Sequence, residues 1–149
     1  MNDAAERAWR RGAMIATIGS RRVGSRSRWV LGGQLDQALA MLEQELDQTW
    51  QAFQRPVIVT EFGADTYAGM HGHTAVMWTE EYQAAYIRGH RAVAARKPYV
   101  AGMQVWNFAN FAAVQSIMRV GGLNMKGVFT RTRTPKMAAH VLREFWSRG

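Results

Sequence analysis

An uninterrupted apolar run that ends at a carboxylate constrains the fold of this chain more than any other feature. The run Val57-Ile58-Val59 is β-branched throughout, and Thr60 and Glu61 follow it directly. Such a run is typical of a strand that is buried on both faces of a parallel sheet. Glu61 is therefore expected at the carboxyl end of an interior strand, the edge where α/β folds bind ligands. A strand-end glutamate that only meets water or an arginine is the other interpretation.

The remaining periodicity predicts helices and strands in alternation. Residues 34–54 repeat apolar side chains at helical spacing, and a second helix is expected from the N-cap Thr79 to Pro98. Glu80 and Glu81 fall in the first turn of this second helix, and its charges are expected to lie mostly on solvated faces. Residues 99–107 are expected to form a second buried strand. A last helix is expected to open with Thr134 as its cap and Pro135 at its N1 position, with a buried face that reaches Trp146. The order helix, strand, helix, strand, helix indicates an α/β fold.

Thr60-Glu61-Phe62-Gly63-Ala64-Asp65 resembles the nucleophile motif of glycoside hydrolase family 2, and within it the β-glucuronidases. The resemblance covers roughly residues 30–146. It continues, in order and at the family's spacing, through four further segments: residues 66–71, 77–83, 104–109 and 119–131. It implies the C-terminal portion of a TIM (β/α)8 barrel, about α6-β7-α7-β8-α8. A complete barrel needs about 250 residues, so 149 predict an incomplete one.

The resemblance also implies roles for particular residues. Glu61 corresponds to the nucleophile that attacks the anomeric carbon, and Trp106 to the tryptophan that floors the sugar site. Asp65 and His71 correspond to residues of the loop that borders the sugar, without an assigned chemical step. A structural core tryptophan is the alternative for Trp106.

The segment Arg119-Val120-Gly121-Gly122-Leu123-Asn124-Met125-Lys126-Gly127 bears on the substrate class. By resemblance, Asn124 and Lys126 grip the C6 carboxylate of a glucuronide, and Arg119 adds a second positive group. An ammonium and an amide can form charge-assisted hydrogen bonds to a carboxylate. A neutral hexose would leave Lys126 without this partner. A solvated loop lysine is the alternative interpretation.

Two departures from the family's pattern affect the expected activity. Asn110 stands where the family usually has an aspartate, which removes one negative charge near the expected site. The family's acid/base glutamate belongs to an Asn-Glu pair, and no Asn-Glu dipeptide occurs in this sequence. The chain is therefore expected to be a fragment with little or no activity alone. Its expected partners are the remainder of the barrel or a second copy of itself.

The positive charge is concentrated at the start of the chain. Of a formal net charge of +8, residues 1–28 carry seven Arg against Asp3 and Glu6, and residues 29–149 carry twelve basic against nine acidic residues. We expect residues 1–28 to be a flexible basic segment, with a short helix near Ala4–Trp9, and residues 29–149 to form the partial barrel domain. No membrane span or secretory signal is evident, which favours a cytoplasmic protein.

No metal or other cofactor is expected. The chain has no cysteine, so a thiolate site is excluded, and His71-Gly72-His73 lacks a third ligand nearby. Two other functions stay open. One is a related family 2 enzyme that acts on galacturonides or galactosides, and the other is a non-catalytic protein that binds nucleic acid or another partner through residues 1–28.

Overall fold

The computed structural model describes residues 14–16, 34–116 and 119–147. Their order of elements is β1 (Met14–Ala16), α1 (Leu35–Phe53), β2 (Val57–Phe62), α2 (Glu80–Ala95), β3 (Val100–Val105), β4 (Phe111–Ala112), β5 (Leu123–Asn124) and α3 (Met137–Trp146). Two compact units result: Met1–Phe62 with Gly89–Gln104, and Gly63–Arg88 with Val105–Gly149. Within the described ranges, no helix has the length and apolar character needed to cross a bilayer.

In the first unit, β2 is the central strand of a three-stranded sheet with the order β1-β2-β3. Its central position confirms the prediction of an interior strand, and Val57 and Val59 are fully buried on one face, but Ile58 on the other face is only half-buried. β1 pairs with β2 in parallel, with Met14 opposite Val57. This strand lies inside the segment that was expected to be flexible. A run of three residues is too short to show the alternating pattern of a strand, so β1 is recognised only by its pairing with β2. The helix expected near Ala4–Trp9 lies outside the described residues.

α1 confirms the helix predicted for residues 34–54. Its apolar stripe buries Leu42 and Leu46, and Gln54 ends it in the left-handed conformation, with its N–H donating to Trp50 O at 2.8 Å. The ring of Trp50 stacks on Tyr99, with centroids 5.0 Å apart. The helix is therefore fixed against the start of the β3 region by an aromatic contact.

α2 begins where the sequence predicted, because the Thr79 hydroxyl accepts the N–H of Tyr82 at 3.2 Å. Glu80, however, was expected on a solvated helix face and is buried instead. Its carboxylate accepts the N–H of Gly69 at 2.7 Å and that of Met137 at 2.5 Å. A buried carboxylate with two backbone donors joins the loop before α2 to the start of α3.

In the second unit, main-chain hydrogen bonds join residues 107–110 to residues 126–129. The N–H groups of Asn107, Val128, Phe129 and Asn110 donate across this junction at 2.9–3.3 Å. β4 and β5 pair antiparallel beside it, with Phe111 opposite Asn124. We call this set of main-chain bonds the loop ladder. It fixes the segment that contains Lys126 against the segment that follows Trp106.

α3 begins at Met137, two residues after the predicted N1 position at Pro135. Lys136 is extended and provides no side-chain cap, so the predicted Thr134 cap is wrong. The Thr134 N–H is bonded to the Thr130 hydroxyl at 3.0 Å, which fixes it in the preceding turn. The apolar stripe is confirmed at Ala138, Val141 and Leu142, whereas Trp146 at the helix end is exposed.

Candidate functional site

Asp65 is the hub of a charged cluster in the second unit. Arg119 Nη1 donates to both of its carboxylate oxygens at 3.1 Å, and Lys126 Nζ lies 3.2 Å from Oδ2. The N–H of Met125 donates to Oδ1 at 3.0 Å. The Asp65 side chain is only 7% exposed. The structure therefore brings together two cations that the sequence placed 54 and 61 residues downstream of Asp65.

Asn124 and Lys126 are fixed beside Asp65 by local bonds. The buried Asn124 carboxamide oxygen accepts the N–H of Lys126 at 3.1 Å, and Lys126 Nζ also donates to Gly63 O at 3.3 Å. Asn124 ends β5, so the pairing of β5 with β4 sets its position. We call Asp65, Arg119, Asn124 and Lys126 the Asp65 cluster. All four residues were predicted as site residues.

The charges of the Asp65 cluster suit an anionic ligand. Two cations surround one carboxylate, so the cluster carries a net positive charge in a mostly buried setting. Bonds between cations and a ligand carboxylate are stronger there than in water. Among the described residues, no three His, Cys, Asp or Glu side chains converge in a way that could hold a metal ion. An arrangement of this charge and burial can bind a carboxylate or another anion.

Trp106 follows β3 and is accessible, with 39% of its surface exposed. Its ring meets the edge of Phe111, with centroids 6.1 Å apart. Its carbonyl approaches Gly63 so closely that a Cβ at residue 63 would lie 1.8 Å from the oxygen. The core interpretation of Trp106 is therefore wrong. An exposed aromatic ring next to the segment with Gly63 is suited to apolar contact with a sugar face.

His71 is held by Glu81 rather than by the Asp65 cluster. The two side chains meet at 2.8 Å, and Glu81 also accepts the N–H of Gly72 at 3.2 Å. The hydrogen bond with Glu81 raises the pKa of the exposed His71 imidazole. Because Glu81 lies in the first turn of α2 and His71 lies in the loop before it, this contact fixes the loop to the start of the helix.

Glu61 is the fifth residue of β2 and is half-buried. It belongs to the first unit, whereas the Asp65 cluster belongs to the second. The fold thus places Glu61 next to the carboxyl end of a central strand, as the sequence predicted. Its assignment as nucleophile stays a prediction.

Two buried polar side chains beneath the cluster were missed from the sequence. Gln83 Nε2 donates to the carbonyls of Ala64, Lys126 and Gly127 at 3.0, 3.1 and 3.3 Å. Lys136 Nζ donates to Thr66 O at 2.8 Å, Met125 O at 2.9 Å and Asn110 Oδ1 at 3.2 Å.

One sequence signal would have drawn attention to Lys136. A lysine directly before a helix opposes the helix dipole, so its position calls for another explanation. Burial of its ammonium group lowers the pKa of Lys136 to about 8, although Glu80 and Asp65 act in the opposite direction. Asn110, the residue that replaces the usual aspartate, is one of its three acceptors.

This chain is similar in sequence and fold to several β-glucuronidases. The β-glucuronidase of Paenibacillus borealis is 46% identical over 114 residues, which are 76% of this chain and 19% of that protein. The β-D-glucuronidase of Dictyoglomus thermophilum superposes on 83% of this chain with a TM-score of 0.78 and 44% identity, and the match covers 21% of that chain. The Bifidobacterium dentium β-glucuronidase complexed with coumarin-3-O-glucuronide gives a TM-score of 0.74 at 49% identity, covering 78% of this chain and 18% of its own.

The matched part is therefore about a fifth of the length of these relatives. Residues 20–148 match the family described as glycosyl hydrolases family 2, TIM barrel domain. This match begins within residues 1–28 and covers most of the chain. The chain belongs to glycosyl hydrolase family 2, and its fold is that of the family's TIM barrel domain.

Proposed function

We propose that this chain forms the C-terminal part of the catalytic barrel of a retaining β-glucuronidase. In that assignment α1, β2, α2, β3 and α3 correspond to α6, β7, α7, β8 and α8 of the barrel. The order of elements and the central position of β2 support it. The relatives named above are all β-glucuronidases, which supports the same activity.

The observation that carries the substrate class is the pair of cations at Asp65. Arg119 and Lys126 are held within 3.2 Å of one carboxylate, and that carboxylate is the protein's own. Asp65 orients both cations in the absence of substrate, and it also competes with a ligand carboxylate for them, so the affinity reflects the balance of these two effects. The net positive charge favours a uronate over a neutral hexose. Asn124 fixes the backbone on which Lys126 is carried.

In the proposed reaction, a Glu61 carboxylate oxygen forms a bond to the anomeric carbon of the glucuronide. The bond from that carbon to the aglycone oxygen breaks, and this oxygen takes a proton from a second carboxyl group. Water then attacks the glycosyl ester, gives its proton to the same carboxyl group and releases glucuronic acid. Because the sequence contains no Asn-Glu pair, the second carboxyl group is assigned to residues outside these 149.

A good leaving group makes the first step testable in this chain. An aryl glucuronide whose phenolate leaves without protonation bypasses the acid/base residue. We expect mass spectrometry to detect a glycosyl adduct on the 149-residue chain, and Glu61→Gln to abolish it. Glu144→Gln, an exposed helix position, is the matched control. Adduct formation that survives Glu61→Gln would refute the assignment of the nucleophile.

Turnover of ordinary aryl glucuronides should be poor, because the missing proton donor costs about 10²- to 10⁴-fold in rate. Vigorous turnover by the purified 149-residue chain would contradict the proposal that a second carboxyl group is needed from elsewhere. Loss of that turnover on Glu61→Gln would show that it belongs to this protein rather than to a contaminant.

A galacturonide is the second candidate substrate, because it carries the same C6 carboxylate that the Asp65 cluster suits. The test compares matched glucuronide, galacturonide and galactoside substrates on wild type, Lys126→Ala and the exposed-cation control Arg131→Ala. Lys126→Ala should reduce reaction with both uronides and leave the galactoside little changed. An equal loss for all three sugars would refute carboxylate recognition by Lys126.

We also propose that the remainder of a barrel, or a second copy of this chain, covers exposed apolar side chains. Phe108, Val114 and Trp146 are strongly exposed among the described residues, which supports a partner. Size-exclusion chromatography with light scattering tests this proposal. A stable monomer that does not bind the dye ANS would contradict it.

A further inference from the structure

The ammonium of Lys136 lies beneath the Asp65 cluster and joins its two halves. The residue is 1% exposed, and its Nζ bonds the carbonyls of Thr66 and Met125 at 2.8 and 2.9 Å. Thr66 follows Asp65 directly, and Met125 precedes Lys126 directly. The Thr66 N–H also donates to Met125 O, at 3.1 Å. Lys136 therefore links the two segments that present the carboxylate and one of its cations.

The acceptors of this ammonium are neutral oxygens. The third one is the Asn110 carboxamide oxygen at 3.2 Å. A protonated lysine has three N–H donors, which match these three acceptors, whereas a neutral amine has two. Deprotonation therefore releases one acceptor and removes the charge that strengthens the other two bonds.

We propose that Lys136 is a positioning residue for the carboxylate-binding cations, and that Asn110, as a neutral acceptor, makes this positioning depend on pH. The proposal rests on the proposed function, because it assumes that the Asp65 cluster binds the sugar carboxylate. Lys136 acts on Arg119 and Lys126 through the backbone of residues 66 and 125, whose carbonyls its ammonium bonds.

The pH range follows from the charges around the ammonium. Glu80 at the start of α2 and Asp65 both raise the pKa of Lys136, but burial outweighs them and lowers it to about 8 from 10.5. The folded protein therefore loses this proton before the unfolded chain does. This group makes stability rise with pH between about 8 and 10.5. Binding of a uronate should weaken over the start of the same range.

The variant Asn110→Asp separates the effect of Lys136 deprotonation from the effects of other groups that titrate in the same pH range. The change keeps the shape of the side chain and places a carboxylate 3.2 Å from the ammonium, where it favours the charged lysine. Asn110→Asp should therefore keep Lys136 protonated above pH 8. Lys126 and Arg119 stay untouched, so any pH dependence that comes from them persists in the variant.

The experiment measures the Kd of free D-glucuronate at pH 7 and pH 9 by calorimetry on both proteins. The wild type should bind about tenfold more weakly at pH 9, the effect of one lost hydrogen bond, and Asn110→Asp should bind about equally at both. The same drop in both proteins would overturn the role of Lys136. Absence of binding by the wild type at either pH would overturn the proposed carboxylate recognition and, with it, the positioning role.

Two measurements do not depend on the ligand. Carbon-13 shifts of the lysine ε position give the Lys136 pKa directly, and chemical denaturation from pH 7 to 10 gives the change in stability. Wild type should show a lysine that titrates near pH 8 and a stability increment above that pH. In Asn110→Asp this lysine should titrate at a higher pH, and the stability increment should be smaller. Should every lysine titrate near 10.5, the buried-ammonium mechanism would be overturned even if glucuronate binds.

Discussion

Asp65→Asn removes the carboxylate that Arg119 and Lys126 share and keeps the shape of the side chain. At 3.1–3.2 Å and an effective dielectric constant of about 20, each ion pair contributes about 5 kcal/mol of attraction before desolvation is counted. Breaking a fully buried pair from one side costs about 3–5 kcal/mol. Arg119 is 22% and Lys126 14% exposed, so water compensates part of the loss, and we expect about 2–3 kcal/mol.

Urea denaturation at pH 7 measures this loss. With a typical slope of about 2 kcal/mol per molar, the midpoint should fall by about 1–1.5 M. Glu43→Gln is the matched control, because Glu43 also contacts two cations, Arg96 at 3.0 Å and Lys97 at 2.9 Å, but lies at the surface. The control should change the midpoint much less. If both variants shift it equally, burial does not set the strength of the Asp65 cluster.

In the absence of urea, Asp65→Asn should bind uronates more tightly than the wild type, because the ligand carboxylate no longer competes with Asp65 for the two cations. We expect a gain of about tenfold in the affinity for D-glucuronate, equivalent to about 1.4 kcal/mol. Weaker binding, in a variant that circular dichroism shows to be folded, would mean that Asp65 orients the cations more than it competes for them.

Two further predictions concern the backbone and a tyrosine. Gly63→Ala should prevent stable folding, because its Cβ would lie 1.8 Å from Trp106 O. Gly102→Ala is the control, because its Cβ meets no atom within 4 Å, and circular dichroism should show that it stays folded. A stably folded Gly63→Ala protein would contradict the close approach of Trp106 O to Gly63. Burial and the hydrogen bond to Asp47 raise the pKa of Tyr99 to about 12, so this group makes stability fall between pH 10 and 12. Asp47→Asn should lower the pKa in an ultraviolet titration, and an unchanged value would contradict the contact.

The sequence predicted elements whose signals are local. The helix over Leu35–Phe53 follows from apolar periodicity, and the strand over Val57–Phe62 follows from an uninterrupted β-branched run. The Thr79 cap follows from a threonine directly before two glutamates. β1 was missed because three residues are too few to show a period. Strand pairing decides such cases, and pairing is not visible in a single sequence.

Long-range polar contacts were the other limit of sequence reasoning. Asp65, Arg119 and Lys126 were named as site residues from a resemblance, but nothing in their spacing indicated that Asp65 neutralises one of the two cations. Lys136 contacts Thr66 across 70 positions, and Glu80 contacts Met137 across 57. Charged residues at the start of a helix were expected to be solvated. Their burial depends on which distant loops fold over them, and a single sequence does not show this.

The loop ladder has a consequence for how substrate preference can change. Its bonds run between backbone atoms of residues 107–110 and 126–129, and every residue type except proline supplies the same donors and acceptors. Side-chain substitutions at positions 108 or 126 can therefore alter which ligand the surface recognises while the main-chain hydrogen bonds are kept. On the proposed function, a few side-chain replacements would suffice to change the preference from acidic to neutral sugars, with the same loop backbone.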